Sequence, residues 1–115
     1  MKRVISLLSS DIIRGHLEPI VLRLILEKDR YGYEISKEIS SRTQDRFQIK
    51  EATLYAVFQR LEKKSLIISY EGDVSLGSKR RYYTITPLGR AFFQSEIEEW
   101  RRTKEIVDIF MKEEF

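Results

Sequence analysis

The fold is decided by residues 51–64, which read EATLYAVFQRLEKK. Apolar side chains recur here at i, i+3, i+4 and i+7, the spacing that places them on one face of a helix. We therefore predict a helix over about residues 51–64, with a buried stripe made of Leu54, Val57, Phe58 and Leu61. Its more exposed faces carry the polar side chains Thr53, Gln59, Arg60 and Lys63.

A first helical region is predicted from the apolar residues that recur at helical spacing between Ile12 and Ile25, and it ends near residues 27–29. Pro19 leaves two alternatives, because proline disfavours the helical conformation of the residue before it. Either the chain breaks around residues 15–18 and Pro19 opens the main helix, or Pro19 kinks one longer helix.

A second, short helix is predicted over residues 34–41, because Ile35 and Ile39 lie one turn apart and form an apolar stripe. Residues 31–33, Tyr-Gly-Tyr, come before it and are predicted to form a turn. Two helical segments therefore precede the helix at residues 51–64.

A β-hairpin is predicted after Ser65. Residues 66–70 and 81–85 are short segments rich in β-branched and aromatic side chains, and glycine, serine and aspartate residues lie between them. We expect a loop longer than two residues with Lys79 and Arg80 at its tip, so that the hairpin projects as a basic flap. Alternation along the second strand places Arg81 and Tyr83 opposite Tyr82, so one of the two tyrosines is expected in the core.

A long last helix is predicted to start at Thr86-Pro87 and to continue to about residue 112. It carries one narrow apolar stripe made of Phe93, Ile97, Trp100, Val107 and Met111, flanked by Phe92, Ile106 and Phe110. Three short helices and a hairpin cannot cover a helix of about 25 residues, so a single chain would expose an apolar patch. We expect a second copy of the chain to cover it, with an interface formed by Phe93, Ile97, Trp100, Val107, Phe110 and Met111.

The composition excludes several classes of function. The 115 residues include no cysteine and a single histidine, His16, so disulfides, thiolate metal sites and cysteine nucleophiles are ruled out. We recognise no nucleophile–base pair, glycine-rich phosphate loop or cluster of metal ligands, and expect no enzymatic activity, no cofactor and no metal. Apolar runs stay short of the ~18 residues that a membrane span needs, so a cytoplasmic protein without membrane contact is expected. The net charge of +3 conceals a cluster of three cations at residues 79–81.

The order helix, helix, helix, basic hairpin is that of a winged helix-turn-helix. In that architecture the second helix of the pair enters the DNA major groove, and the hairpin, called the wing, contacts the adjacent backbone. We predict the α+β class, with a winged helix-turn-helix DNA-binding domain over residues 1–85 and a long C-terminal dimerisation helix over residues 86–115. The expected partners are double-stranded DNA and a second copy of the chain. The alternative is a protein-interaction module of the same shape with no DNA role.

Candidate DNA contacts follow from this architecture. The third helix is expected to contact DNA through Thr53, Tyr55, Gln59 and Lys63, with Lys50 near a phosphate at the helix N-terminus. The second helix is expected to contact phosphate through Tyr33 and Lys37. The wing is expected to neutralise phosphates or to enter the minor groove through Gly77, Lys79, Arg80 and Arg81. For each residue the alternative is an ordinary solvated or packing role.

Three motifs resemble the PadR-like family of transcriptional regulators. They are YGYEI at residues 31–35, EATLY with RLEKK and LI at residues 51–67, and GSKRRYY with IT and a glycine at residues 77–89. The short chain with one terminal helix is similar to the smaller subgroup of the family, which includes multidrug-sensing repressors. This resemblance implies a homodimeric repressor that binds a pseudo-palindromic operator. The sequence departs from the family pattern at Ser65, Ser78 and Pro19.

The resemblance also implies a ligand site. In the smaller subgroup a tryptophan from each subunit lines a flat central pore, and Trp100 occupies the matching position in this sequence. A planar aromatic or drug-like molecule is the expected ligand, stacked on Trp100 with help from Ile12, Gly15, Ile97, Thr103 and Lys104. The alternative is that Trp100 only closes the interface.

Overall fold

The computed structural model describes residues 12–75 and 78–113, apart from the side chains of residues 73–75 and 78. After a short helical stretch at residues 12–14, four helices and three strands follow. In chain order they are α1 (Leu17–Glu27), β1 (Arg30–Tyr31), α2 (Gly32–Arg42), α3 (Glu51–Lys63), β2 (Ile67–Ser75), β3 (Ser78–Ile85) and α4 (Pro87–Phe110). The predicted order of three helices, a hairpin and a long last helix is confirmed, and the fold is a winged helix-turn-helix.

The core lies between α1, α2, α3 and one face of the sheet. The predicted stripe of α3 is confirmed, because Leu54, Val57, Phe58 and Leu61 are all buried. Ile35 and Ile39 of α2 are buried against the same cluster. Burial of each large apolar side chain stabilises the fold by about 1.5–3 kcal/mol, so this cluster fixes the position of α3.

The first helical region is interrupted, as in the alternative that places a break around residues 15–18. Residues 12–14 are helical, Gly15 and His16 form a turn, and α1 then begins at Leu17. Pro19 is the third residue of α1 rather than its first. It is tolerated there because the amides of the first helical turn have no acceptor within the helix, so the missing N–H breaks no hydrogen bond.

The predicted turn at residues 31–33 is wrong. Tyr31 belongs to strand β1 and is also the N-cap residue of α2, which begins at Gly32 rather than at Glu34. Two antiparallel pairs, Arg30 with Tyr83 and Tyr31 with Tyr82, join β1 to β3. The non-local pairing with β3 therefore overrides the local preference of Tyr-Gly-Tyr for a turn.

The wing differs from its prediction in length and in the place of its cations. Pairing between β2 and β3 continues to Ser75 and Ser78, so only residues 76 and 77 connect the strands, and the expected longer loop is wrong. Lys79 and Arg80 consequently lie within β3 and not at a loop tip. The register shifts between Glu71 and Val74, so Gly72 is part of an irregular strand rather than a turn.

The sheet order is β1-β3-β2, and its two faces have different roles. Tyr83 faces the core and is 3% exposed, while Tyr82 lies on the opposite face. The prediction that one of these two tyrosines is in the core is confirmed.

Helix α4 starts as predicted, with Thr86 as N-cap and Pro87 as first residue. The Thr86 hydroxyl accepts a hydrogen bond from the Gly89 amide at 2.9 Å and donates to the Ser65 carbonyl at 2.8 Å. This contact ties the start of α4 to the end of α3. Only the first turns of α4 pack against the core, and every residue from Glu98 to Glu113 is exposed.

Candidate nucleic-acid interface

Helix α3 presents one continuous exposed ridge. Tyr55, Gln59 and Lys63 are all exposed and follow each other at i, i+4 and i+8, which places them on the same side of the helix. Thr53 lies about 160° around the axis from Tyr55, at about 100° per residue. It shares its flank with Arg60, which donates to Glu18 of α1 at 3.0 Å. The structure thus brings three of the four predicted α3 contacts together and separates Thr53 from them.

The wing cations each have a different partner. Lys79 pairs with Glu71 of β2 at 3.2 Å, and Arg81 approaches Glu62 of α3 at 3.7 Å. The Arg80 guanidinium carbon lies 4.4 Å from the ring centre of Tyr31. A carboxylate oxygen and a phosphate oxygen are similar acceptors, so DNA phosphates suit the same cations. The predicted wing residue Gly77 lies outside the described residues.

An open groove of about 530 Å³ runs between the wing and the two helices α2 and α3. Its walls combine aromatic rings with cations, including Tyr31, Tyr33, Tyr55, Lys79, Arg80 and Arg81. Rings offer stacking surfaces and cations attract phosphate, so this groove has the chemistry of a nucleic-acid contact.

The N-terminal part of α2 contributes Tyr33 and Lys37. Tyr33 is 64% exposed, and the Lys37 ammonium lies 5.8 Å from its ring centre. Lys50 is the exposed N-cap residue of α3 and its side chain makes no capping hydrogen bond. The first amides of α3 therefore lie beside a cation, an arrangement that favours an anion.

An ion-pair cluster fixes α3 against α1. Glu18 accepts hydrogen bonds from Arg60 at 3.0 Å and from Lys64 at 2.8 Å. Burial alone would raise the pKa of Glu18, but the hydrogen bonds from Lys64 and Arg60 outweigh it and hold the pKa below its ordinary value. Glu18 is therefore ionised at neutral pH, and it holds the C-terminal part of α3 against α1.

A second, apolar groove lies between α1 and α4, with a volume of about 640 Å³. Of the predicted ligand residues, Ile12, Ile97, Trp100 and Thr103 line it, whereas Gly15 and Lys104 do not. The ring of His16 meets that of Trp100 edge-on at 5.1 Å. Lys104 lies 3.9 Å from Asp108 on the exposed surface of α4.

The residues of the expected dimer interface fall into two groups. Phe93 is half-buried against the core of its own chain, and Ile97 is also half-buried. Trp100, Val107, Phe110 and Met111 are between 46% and 78% exposed. The apolar surface that lacks cover in the single chain is therefore the second half of α4.

The partners of the wing cations Arg80 and Arg81 were not predicted from the sequence. Glu62 reaches Arg81 from α3, and Tyr31 lies under Arg80. Both contacts join segments far apart in sequence, so periodicity could not find them. The one available clue was strand alternation, which places Arg80 and Tyr82 on the same face of β3.

Within residues 12–75 and 78–113, no helix is both long and apolar enough to span a bilayer. The same residues contain no group of three or more histidine, aspartate or glutamate side chains placed to hold a metal ion.

Three helices with a ridge of polar side chains on the third, and a cationic wing beside it, define a winged-helix DNA-binding protein. The family model described as "Transcriptional regulator PadR-like family" matches residues 21–95. The chain belongs to this family of transcriptional regulators.

Individual relatives agree with this assignment. An uncharacterised protein of Lysinibacillus sphaericus is 69% identical over 103 residues, which cover 90% of this chain and 94% of the relative. A transcriptional regulator from Clostridium thermocellum is 47% identical, with a TM-score of 0.83 over 90% of this chain and 100% of that chain. A PadR family transcription regulator from Clostridium difficile is 35% identical, with a TM-score of 0.73 over 85% of this chain and 100% of that chain.

Proposed function

We propose that this regulator is a homodimeric repressor that binds a pseudo-palindromic DNA site through α3 and the wing. The observation that carries the DNA contact is the shared groove, which brings Tyr55 of α3 together with three consecutive cations of β3. The ridge of Tyr55, Gln59 and Lys63 would lie in the major groove, and the wing cations would neutralise neighbouring phosphates.

DNA binding is tested by titrating purified protein against a duplex from the promoter of its own gene at several salt concentrations. The affinity should fall steeply as salt rises, with a slope of about 0.9 per phosphate contacted in a log–log plot. Lys63→Gln should weaken binding and lower this slope by about 1. Lys112→Gln, just beyond the end of α4 at Phe110, should leave both unchanged. A protein-interaction module without DNA role would shift no duplex, and that result would end the proposal.

Dimerisation is supported by the second half of α4. This helix has 24 residues and is about 36 Å long, and every residue of its distal half is exposed in the single chain. A second copy would cover its exposed apolar side chains and the apolar groove beside α1 together. Two reading helices held about 34–36 Å apart would then match successive major grooves on one face of DNA.

Sedimentation measures the dimer directly. The wild-type chain should sediment as two chains at micromolar concentration, and Val107→Ser with Phe110→Ser should sediment as one. Asp108→Ser, on the polar side of the same helix, is the matched control and should remain dimeric. Because this part of α4 packs on no core residue, the double variant should keep its helical circular dichroism. A wild-type chain that sediments singly would refute the dimer.

Ligand binding is supported by the apolar groove that Trp100 and His16 border. We propose that it takes a planar aromatic or drug-like molecule, and that binding favours a dimer geometry with the wrong half-site spacing. Trp100 is the single tryptophan of the chain, so its fluorescence reports on this site alone. Planar cationic dyes or flavins should quench it and weaken the DNA complex. Unchanged fluorescence would contradict the ligand proposal and leave DNA binding intact.

The repressor role rests on the family resemblance and has its own test. Deleting the gene should raise expression from the promoter that the purified protein binds. A fall in expression would make the protein an activator.

A further inference from the structure

Three tyrosines form a row across the sheet, on the face away from the core. Tyr31 of β1 is paired directly with Tyr82 of β3, and Tyr82 is paired directly with Tyr70 of β2. The rings of Tyr31 and Tyr82 meet edge-on at 5.4 Å, and those of Tyr82 and Tyr70 stack at 5.8 Å. The row therefore links all three strands through side chains as well as through the backbone.

Both ends of the row are fixed. The Tyr70 hydroxyl donates a 2.6 Å hydrogen bond to Asp29, which raises the pKa of Tyr70 to about 12 and keeps it a donor at neutral pH. Tyr31 is the N-cap residue of α2, and its amide donates to Glu34 at 3.2 Å. In the middle, the ring of Tyr82 occupies the space that a side chain at Gly72 would need. The backbone of Tyr31 is thus fixed by β1 and α2, and its ring packs against that of Tyr82.

Arg80 extends from β3 over the Tyr31 end of this row. It lies two residues before Tyr82 and so shares its face of the sheet. Its guanidinium carbon is 4.4 Å from the Tyr31 ring centre, within the range of a cation–π contact. A guanidinium over an aromatic ring is attracted by the negative face of that ring, so the contact favours one placement of the Arg80 side chain.

We propose that Tyr31 is a positioning residue for DNA binding, whose ring orients the Arg80 guanidinium toward duplex DNA. This proposal rests on the proposed DNA-binding function. Its physical basis is preorganisation: a long, flexible arginine that is already ordered on a ring loses less conformational entropy when it binds phosphate. The wing of this protein then depends on an aromatic residue that precedes α2 and is remote from the hairpin in sequence.

A double-mutant cycle tests the proposal, with a duplex selected from a random pool by the purified wild-type chain as probe. Tyr31→Leu should weaken binding about fivefold, the size of one cation–π contact. In an Arg80→Gln background the same change should weaken binding less than twofold, because the group that Tyr31 orients is gone. In a Lys79→Gln background the fivefold effect should persist. Tyr31→Phe keeps the ring and should bind like wild type.

Thermal unfolding of every variant shows whether the fold is retained. The comparison of backgrounds then separates positioning from a purely structural role of Tyr31, because a structural role would weaken binding equally in all backgrounds. An equal factor in the wild-type and Arg80→Gln backgrounds overturns the proposal, as does a Tyr31→Phe variant that binds as weakly as Tyr31→Leu. If the wild-type chain selects no duplex, the proposed function itself fails and this proposal falls with it. If it selects one and the cycle is additive, DNA binding stands and only the role of Tyr31 fails.

Discussion

The ring of Tyr83 in β3 stacks on Phe58 in α3, with centroids 4.0 Å apart and planes inclined by 23°. Both side chains are buried, so this contact is where the wing and α3 share the core. Burial raises the pKa of the Tyr83 hydroxyl, which therefore stays neutral at physiological pH.

Replacing Tyr83 with leucine should destabilise the fold by about 2–3 kcal/mol, because it removes buried ring surface together with the stacking contact. Tyr83→Phe retains the ring and should stay within about 1 kcal/mol of wild type. Urea unfolding followed by circular dichroism gives both values. Equal stabilities of the two variants would show that the stack contributes nothing.

Ser65 offers a stabilising substitution. It follows α3 with a φ of 62°, and the amides of Ser65 and Leu66 donate to the carbonyls of Glu62 and Leu61, each at 2.9 Å. This helix-ending arrangement favours glycine, because a Cβ is strained at positive φ. Ser65→Gly should raise stability by about 0.5 kcal/mol, after allowing for the larger freedom of the unfolded glycine chain. Ser65→Ala keeps the Cβ and should give no gain; a gain as large as that of glycine would refute the explanation.

Glu27 should make stability depend on pH in the acid range. It accepts hydrogen bonds from Arg42, Arg23 and Arg30, and these hold the pKa of its carboxyl well below the ordinary value of 4.5. A carboxylate with a lowered folded pKa stabilises the fold above the unfolded pKa and loses this effect as the pH falls toward the folded one. Glu27→Gln should therefore lower stability by about 1 kcal/mol at pH 7, a discounted value because the carboxylate is open to water.

The difference between wild type and Glu27→Gln should shrink steadily below about pH 4.5, the range in which the unfolded carboxyl becomes protonated. Urea midpoints at pH 7, 4 and 3 measure it. Glu38→Gln, which removes a more exposed partner of Arg42, should show a smaller difference at every pH. A difference for Glu27→Gln that is constant with pH would mean that ionisation of Glu27 is not its source.

Gly89 lies at a close approach between α4 and the segment around Leu66. A Cβ at this position would overlap the Leu66 carbonyl oxygen and crowd the Ile85 side chain. Because one of these neighbours is backbone, Gly89→Ala should destabilise the fold by about 1–3 kcal/mol. Arg90→Ala, at the exposed next position, should change stability by less than about 0.5 kcal/mol. Similar melting temperatures for the two variants would contradict the close packing of α4.

The helices and the core of this protein could be predicted from sequence because their apolar residues repeat at 3.6-residue spacing. The α3 stripe was predicted correctly for this reason, and the start of α4 because threonine at the N-cap and proline in the first turn are strong local signals. The length of the wing was predicted wrongly. Gly72 is typical of a turn when only its sequence neighbours are considered, but in the fold it lies in a strand beneath the ring of Tyr82. Strand β1 was missed because two residues are too few to show alternation.

The sequence indicated which residues could form the candidate DNA site, but only part of their spatial arrangement. Tyr55, Gln59 and Lys63 share one ridge, whereas Thr53 lies on another flank, a distinction that follows from helical angles once the buried stripe is known. The contacts of Arg80 with Tyr31 and of Arg81 with Glu62 depend on how strands and helices meet in three dimensions. No local sequence pattern encodes these contacts between distant segments.

The second half of α4 extends away from the core that α1, α2, α3 and the sheet form. In the proposed dimer, substitutions after Trp100 would change which chains pair and would leave the stability of the rest of the fold nearly unchanged. Two related regulators in one cell could keep the same reading surface and still avoid mixed pairs through changes confined to this one helix end.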